Sequence, residues 1–313
     1  IYKKRKFLTK ISKERIFDEL SKILMGKFVK KAFIEMKKLR VLEMIIPEFY
    51  YAYNFDQNNP NHPDDLFNHI IKVIHLCDYD LVTRFAALFH DLGKINVKII
   101  DAKGIFYFYG HEKESALIAE EELKQLKASN DFINSVKKIV KNHMLIYQDV
   151  SDKTLKKLII EMEEKNLKRL FNLFSADLNS KGLRTKKENE EILQNFWEKI
   201  ENIKKQGKIP QFNDLDITGI DLINLKFSNR EIGEVKNRLY ELVLGDEIEN
   251  EKEALLKYVV KHYKLNDNFE YENSCGAIVF NENTEKILLV KMHNGNWGFP
   301  KGHIEKDETK EET

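Results

Sequence analysis

The chain has 313 residues, 42% apolar and 33% charged, the composition of a soluble globular protein with room for two or three domains. No apolar run approaches membrane-spanning length, no signal-peptide pattern opens the chain, and its two cysteines, Cys77 and Cys275, are far apart with Cys77 on an apolar stripe, so reduced thiols in a cytosolic protein are the expectation. The net charge of +1 hides an asymmetry: residues 1–45 carry fourteen Lys or Arg against five Asp or Glu, a local +9 that leaves −8 on the remainder. A basic end of this kind can follow a phosphate backbone, or it can simply solvate helix surfaces.

In chain order, Ser12 predicts a helix cap, followed by Ile16, Leu20, Ile23 and Leu24 on one face and Gly26 as the stop. A second helix is expected from about Val29 to Met44, burying Phe33, Met36, Leu39 and Leu42, with Pro47 ending it. A polar loop from Gln57 carries His62, a substrate-facing or exposed group, into a helix where His69 shares a stripe with Leu66, Val73 and Cys77. His75 lies off that stripe and reads as surface.

The stretch Arg84-Phe-Ala-Ala-Leu-Phe-His-Asp-Leu-Gly-Lys94 places a His-Asp pair at the end of a helix apolar all round, where an unpaired charge would cost several kcal/mol. A divalent metal is the expected partner, with Gly93 stopping the helix and Lys94 just past it, where a cation can hold a phosphate. Alternation over Ile105–Tyr109 predicts a hairpin or flap turning at Ala102–Gly104 and delivering His111 after Gly110. Next come a helix with Ala116, Ala119, Leu123 and Leu126 inward, a cap at Ser129, and a stripe of Phe132, Val136 and Val140 closed by His143. Two further helices follow, the second ending a stripe of Leu170 and Phe174 at Asp177. His69, His90, Asp91, His111, His143 and Asp177 form a ligand set without cysteine, which suits Mn, Mg, Fe or Ni better than structural zinc.

This order resembles the HD superfamily of metal-dependent phosphohydrolases, whose pattern is His, His-Asp, then Asp, with further histidines where a second metal binds. Core histidines with ordinary hydrogen bonds are the alternative. The resemblance sharpens in Ser12-Lys-Glu-Arg-Ile-Phe-Asp-Glu-Leu, in Leu39-Arg-Val-Leu-Glu-Met-Ile-Ile-Pro-Glu48 and in Tyr107-Phe-Tyr-Gly-His-Glu112, which look like the neck and body of the CCA-adding tRNA nucleotidyltransferase and poly(A) polymerase family. By that likeness Arg15 belongs to the neck. Asp216-Ile-Thr-Gly-Ile-Asp-Leu-Ile and Ile232-Gly-Glu-Val-Lys-Asn-Arg-Leu239 resemble the family's tail, which implies backbone contacts to tRNA from Lys236 and Arg238. One departure is Lys226-Phe-Ser-Asn-Arg230, where the family often has Gly and Pro. Between these, residues 184–206 read as a charged helix with only a thin apolar stripe of Ile192, Phe196 and Ile200.

After about Asn268 the chain turns strand-like at Ser274–Phe280 and Ile287–Met292, and Trp297-Gly-Phe-Pro-Lys-Gly302 through Glu308 resembles the first half of a Nudix hydrolase box. The remaining metal carboxylates of that box would lie beyond Thr313, so this part is not expected to be active.

The expected fold is mainly α: neck helices over residues 1–50, an HD-type helical bundle over 51–182, a helical tRNA-binding tail over 183–266, and a short β fragment of an incomplete Nudix domain over 267–313. The expected function is metal-dependent phosphohydrolysis of 2′,3′-cyclic nucleotides, 2′-nucleotides or tRNA ends, with His90, Asp91, Lys94 and Arg84 in catalysis. A tRNA-binding scaffold and a stand-alone HD nucleotidase or cyclic-dinucleotide phosphodiesterase are the alternatives. The chain opens at Ile1 without a paired-carboxylate nucleotidyl-transfer site and reads as a fragment of a parent transferase. By the resemblance, Mg would serve the parent transferase and the Nudix part. tRNA and nucleotides are the expected partners, with no membrane and no stable protein partner, in the cytoplasm.

Overall fold

The computed structural model describes residues 2–59 and 63–263, together with six short strand segments between Ser274 and His303. Ser12 caps α1 (Lys13–Leu24) by accepting the Arg15 amide, and Ile16, Leu20 and Leu24 turn inward. The same device repeats: Asp65 opens α5 (Leu66–Leu76), Asp80 opens α6 (Leu81–Phe89), and Ser129 opens α8 (Asn130–Asn142). Between α1 and α5 lie α2 (Val29–Lys38), α3 (Leu42–Ile45) and α4 (Phe49–Ala52). A two-stranded hairpin, β1 (Ile99–Ile100) with β2 (Phe106–Tyr107), pairs Ile99 with Tyr107 and Ile100 with Phe106. It leads to α7 (His111–Gln125); after α8 come α9 (Asp152–Glu161), α10 (Glu164–Lys181) and α11 (Lys186–Lys205).

Apolar periodicity explains how these elements pack. α5 lies against α2, α6 and α10, α6 against α8 and α10, and α7 against α8. One core runs from Ile16 to Ile203, so the expected neck and body share a single interior. α11 belongs to it through Phe196, Ile200 and Ile203, which places the first unit's end at Asn213 instead of residue 182.

Two local expectations are corrected. The helix drawn from Val29 to Met44 breaks after Lys38, because Arg40 takes the left-handed conformation (φ 53°). Arg40 and Val41 then donate their amides to Lys37 and Met36, each at 2.9 Å, which satisfies the last carbonyls of α2. The second correction concerns Gly93. α6 already stops at Phe89, and Gly93 sits inside a short 3-10 turn, Leu92–Ile95. A Cβ there would lie 2.5 Å from both the His111 carbonyl oxygen and the Ser115 nitrogen, so close approach of the two backbones excludes a side chain.

The second unit, Asp214–Thr313, holds α12 (Gly219–Asn224), α13 (Asn229–Leu244) and α14 (Lys252–His262) around Leu222, Leu239, Leu255 and Val259. Lys226, where a glycine was missed in the sequence, adopts φ 65° itself, and its turn closes through Lys226 and Phe227 amides on Ile223 and Leu222. Further on, β3 (Ser274–Gly276) pairs with the last strand, Lys301–His303, setting Gly302 opposite Cys275. Glu308 and His62 lie outside the described residues, and so does most of the segment read as Nudix-like.

Candidate metal centre

Five helix ends or inward faces and one turn deliver the ligand set. His69 comes from the middle of α5, His90 caps the end of α6, Asp91 follows it, His111 begins α7, His143 ends α8, and Asp177 sits one turn before the end of α10. All six are buried. Gly110, in the left-handed conformation at φ 78°, turns the chain so that α7 starts on His111.

Asp91 is the centre. Its Oδ2 lies 3.2 Å from His69 Nε2 and 3.4 Å from His90 Nε2, and its Oδ1 lies 3.1 Å from His111 Nε2 and 3.5 Å from His143 Nε2. Asp177 Oδ1 is 3.2 Å from His69 Nε2. The atoms fall into two groups, His69, His90 and Asp177 in one and Asp91, His111 and His143 in the other, with the donor atoms of each within 4.8 Å of one another.

The hydrogen bonds at the far nitrogens fix the tautomers. His90, His111 and His143 point Nδ1 at the carbonyls of Ala87, Phe108 and Val140, at 2.8, 2.7 and 2.7 Å, and so donate there. Ser180 Oγ donates to the Asp177 carbonyl and faces His69 Nδ1 at 3.3 Å, which makes that nitrogen a donor too. Every Nε2 is then a bare lone pair, and His111 and His143 bring two of them within 3.2 Å, as do His69 and His90. Lone pairs facing lone pairs around a carboxylate repel unless a cation lies among them. Nδ1 held by a carbonyl with Nε2 turned inward is the arrangement of imidazole ligands. The donor set fits divalent metal.

Charge shifts agree with this need. Burial pushes His90 down to about 3, keeping it neutral, and burial also lowers His111. At His69 burial, which lowers the imidazole, is outweighed by the neighbouring carboxylates of Asp177 and Asp91, which raise it. Burial opposes ionisation of Asp91 and Asp177, yet the Lys94 ammonium beside the first and the Lys181 ammonium beside the second help hold both well below the carboxylate range.

A cavity of about 280 Å³ opens onto the cluster, lined by Asp91, Lys94, His111, Tyr147, Lys181 and Arg184 among others. Lys94 Nζ reaches Asp91 Oδ2 at 2.7 Å and Gln57 Oε1 at 2.9 Å. Tyr147 and Lys181 both hold Asp177 Oδ2, at 2.8 and 3.2 Å, leaving Oδ1 without a hydrogen bond and turned to the histidines. Sequence reading missed Tyr147 and Lys181, although each stands four residues after a predicted ligand, Lys181 one turn along α10 from Asp177 and Tyr147 in a 3-10 turn just past His143. Gln57 gave no signal, because a polar loop far from Lys94 in sequence has no period to betray it.

Arg84 is corrected. Its guanidinium donates to the Leu24, Cys77 and Asp78 carbonyls at 2.5, 3.1 and 3.0 Å, so it joins the α1 end to the α5–α6 turn and its donors do not face a phosphate. Of the RNA-binding expectations, Arg15 is exposed on α1; Lys236 and Arg238 lie on α13, where Tyr258 bonds Arg238. His75 is exposed, and Cys77 is a buried free thiol that burial pushes up. Among the described residues no helix is long and apolar enough to cross a membrane.

Comparison with known proteins adds a family context. Residues 1–52 match the profile "Probable RNA and SrmB-binding site of polymerase A", and residues 106–259 match "tRNA nucleotidyltransferase domain 2". The likeness is to tRNA nucleotidyltransferases. The A-adding tRNA nucleotidyltransferase of Deinococcus radiodurans is 27% identical over 52% of this chain and 38% of its own length. The multifunctional CCA protein of Chromobacterium violaceum is 32% identical over 38% of this chain and 29% of its own. The CC-adding enzyme of Thermus thermophilus is 28% identical over 42% and 32%. The chain thus spans about a third of the length of these relatives. His111, His143 and Asp177 fall inside the second profile match.

Proposed function

We propose that this chain is an HD-type, metal-dependent phosphohydrolase associated with RNA, acting on 2′,3′-cyclic nucleotides, 2′-nucleotides or tRNA ends. The observation that carries the reading is the sharing of one buried carboxylate, Asp91, between two pairs of imidazoles whose lone pairs face inward. His69, His90, Asp91 and Asp177 would hold one Mn, Ni, Mg or Fe ion, and Asp91, His111 and His143 a second. Bound there, such ions supply Lewis acidity toward a phosphoryl oxygen and toward water.

The chain's own residues do the rest. Lys94, Lys181 and Arg184 bring three cationic side chains to the cavity wall, where they draw in and orient a phosphate. Tyr147 and Lys181 hold Asp177 by one oxygen so that the other stays aimed inward, and Ser180 keeps the His69 ring in place. Among the described residues the proposed chemistry needs no nucleophilic side chain.

Purified protein is expected to carry or take up metal, measured by plasma emission, and to hydrolyse 2′,3′-cyclic nucleotides when Mn or Ni is added. His90→Ala and Asp91→Ala should lose both properties. Activity equal in wild type and variants would refute the reading. The RNA-binding description of the profile matched by residues 1–52 favours a second, compatible role in holding RNA, by which tRNA would bind equally well in chelator and to His90→Ala. A parent transferase activity and a Nudix-related C-terminal part, with Mg, belong to the same proposal.

A further inference from the structure

A second cavity, about 380 Å³, shares Lys94, His111 and Met144 with the one over the metal cluster and extends along the strand that delivers His111. Tyr107, Tyr109 and Gln148 line it. Tyr109 leaves 72% of its surface to solvent and adds nothing to the core. Its ring nevertheless has a partner. The Tyr107 ring lies beside it with centroids 5.7 Å apart and planes within 8°, and the Tyr107 hydroxyl donates to Asp101 Oδ2 at 3.3 Å. Asp101 is held in turn, because its Oδ1 accepts the Lys103 and Ile105 amides that close the hairpin turn.

A flat aromatic face parallel to a neighbouring ring, exposed, and continuous with a cavity that sets Lys94, Lys181 and Arg184 beside Asp91 and Asp177 has the two features a nucleotide needs. Bases stack on such a face with little regard to sequence, while the attached phosphate reaches the shared wall at Lys94 and His111. We propose that Tyr109, supported by Tyr107, is a base-stacking subsite of the metal centre, so that its substrate is a nucleoside phosphate, free or at the end of an RNA, and not a simple phosphoester. The inference rests on the phosphohydrolase reading and adds its specificity determinant. Tyr109 acts on the base, away from the reacting phosphorus.

Calorimetric binding to the whole chain, with and without Mn²⁺, tests it. The probes are adenosine 2′,3′-cyclic monophosphate, a short RNA ending in a 2′,3′-cyclic phosphate, ribose 5-phosphate and inorganic phosphate. Wild type should prefer at least one base-bearing probe over ribose 5-phosphate by about tenfold, the order that one base–aromatic stack provides. Whichever of the two binds more tightly identifies the source of the nucleotide. Tyr109→Ala should bring that ratio close to one, and Tyr109→Trp should restore it. Ribose 5-phosphate binding as tightly as both base-bearing probes, or a preference that survives Tyr109→Ala, overturns the subsite alone. Failure of every probe, inorganic phosphate included, overturns the phosphohydrolase reading and the subsite with it.

Discussion

A carboxylate buried as deeply as Asp91 costs several kcal/mol if left alone, and nothing in its immediate sequence offsets that. Lys94 and four imidazoles surround it, so what would be a folding penalty becomes the organising charge of the site. Arg84 illustrates the converse. It is as deeply buried, but its donors end on three backbone carbonyls, which makes it a cross-brace of the fold. Glu122 is a third buried charge, and it is poorly matched. Its Oε2 has no hydrogen-bond partner, and burial, followed by repulsion from Glu48 and Glu121 against weak relief from Lys13, raises it to about 7. The native state therefore keeps a proton that the unfolded chain has released, and stability falls as pH rises from the ordinary glutamate range through about 7. Glu122→Gln should match wild type near pH 4.5 and exceed it by up to about 3 kcal/mol at pH 8.5 in urea melts. Parallel curves for the two proteins across that range would contradict the assignment.

Individual elements show why local rules sometimes mislead. Gly93 looked like a helix stop, yet its role is to let the start of α7 touch the turn after His90, where the Gly93 amide donates to Ser115 Oγ at 2.9 Å. Gly93→Ala should cost at least about 2 kcal/mol in thermal or urea unfolding, as overpacking of backbone against backbone does, and should weaken metal uptake by displacing His111. Helix ends tell the opposite story. Arg40, Lys127, Lys226 and Asp246 all sit at left-handed positions where glycine is usual, at φ 53°, 62°, 65° and 55°. Each turn closes with the paired bonds of a regular helix stop; after α7, Lys127 and Ala128 donate to Lys124 and Leu123, both at 3.0 Å. Lys127→Gly should raise stability by about 0.5–1 kcal/mol, since it relieves the left-handed strain of a side chain. A loss would mean that the Lys127 side chain contributes more than its backbone costs.

At the scale of the molecule, two units follow one another, the first carrying the buried histidine–carboxylate cluster and a strongly basic N-terminal region. Lys27, Lys30 and Lys31 are exposed around the start of α2, with Phe28 among them. If this surface follows a phosphate chain, affinity for unpaired RNA falls steeply with salt, and Lys27, Lys30 and Lys31 changed together to Ala lower the slope of log K against log salt by about 2. An unchanged slope would assign the charge to solvation. The amino-acid sequence by itself determined that this chain is helical, that Ser12 and Ser129 cap helices, and that His69, His143 and Asp177 share apolar stripes, because each of these is a matter of period and of residues a turn apart. Only the tertiary structure decided that Asp91 divides its two oxygens between two pairs of imidazoles, that Arg84 braces a turn, that Gln57 meets Lys94, and that α11 completes the first core. Periodicity says which side of a helix leaves water; which partner waits there is set by how distant helices pack, and that information is held in no single segment.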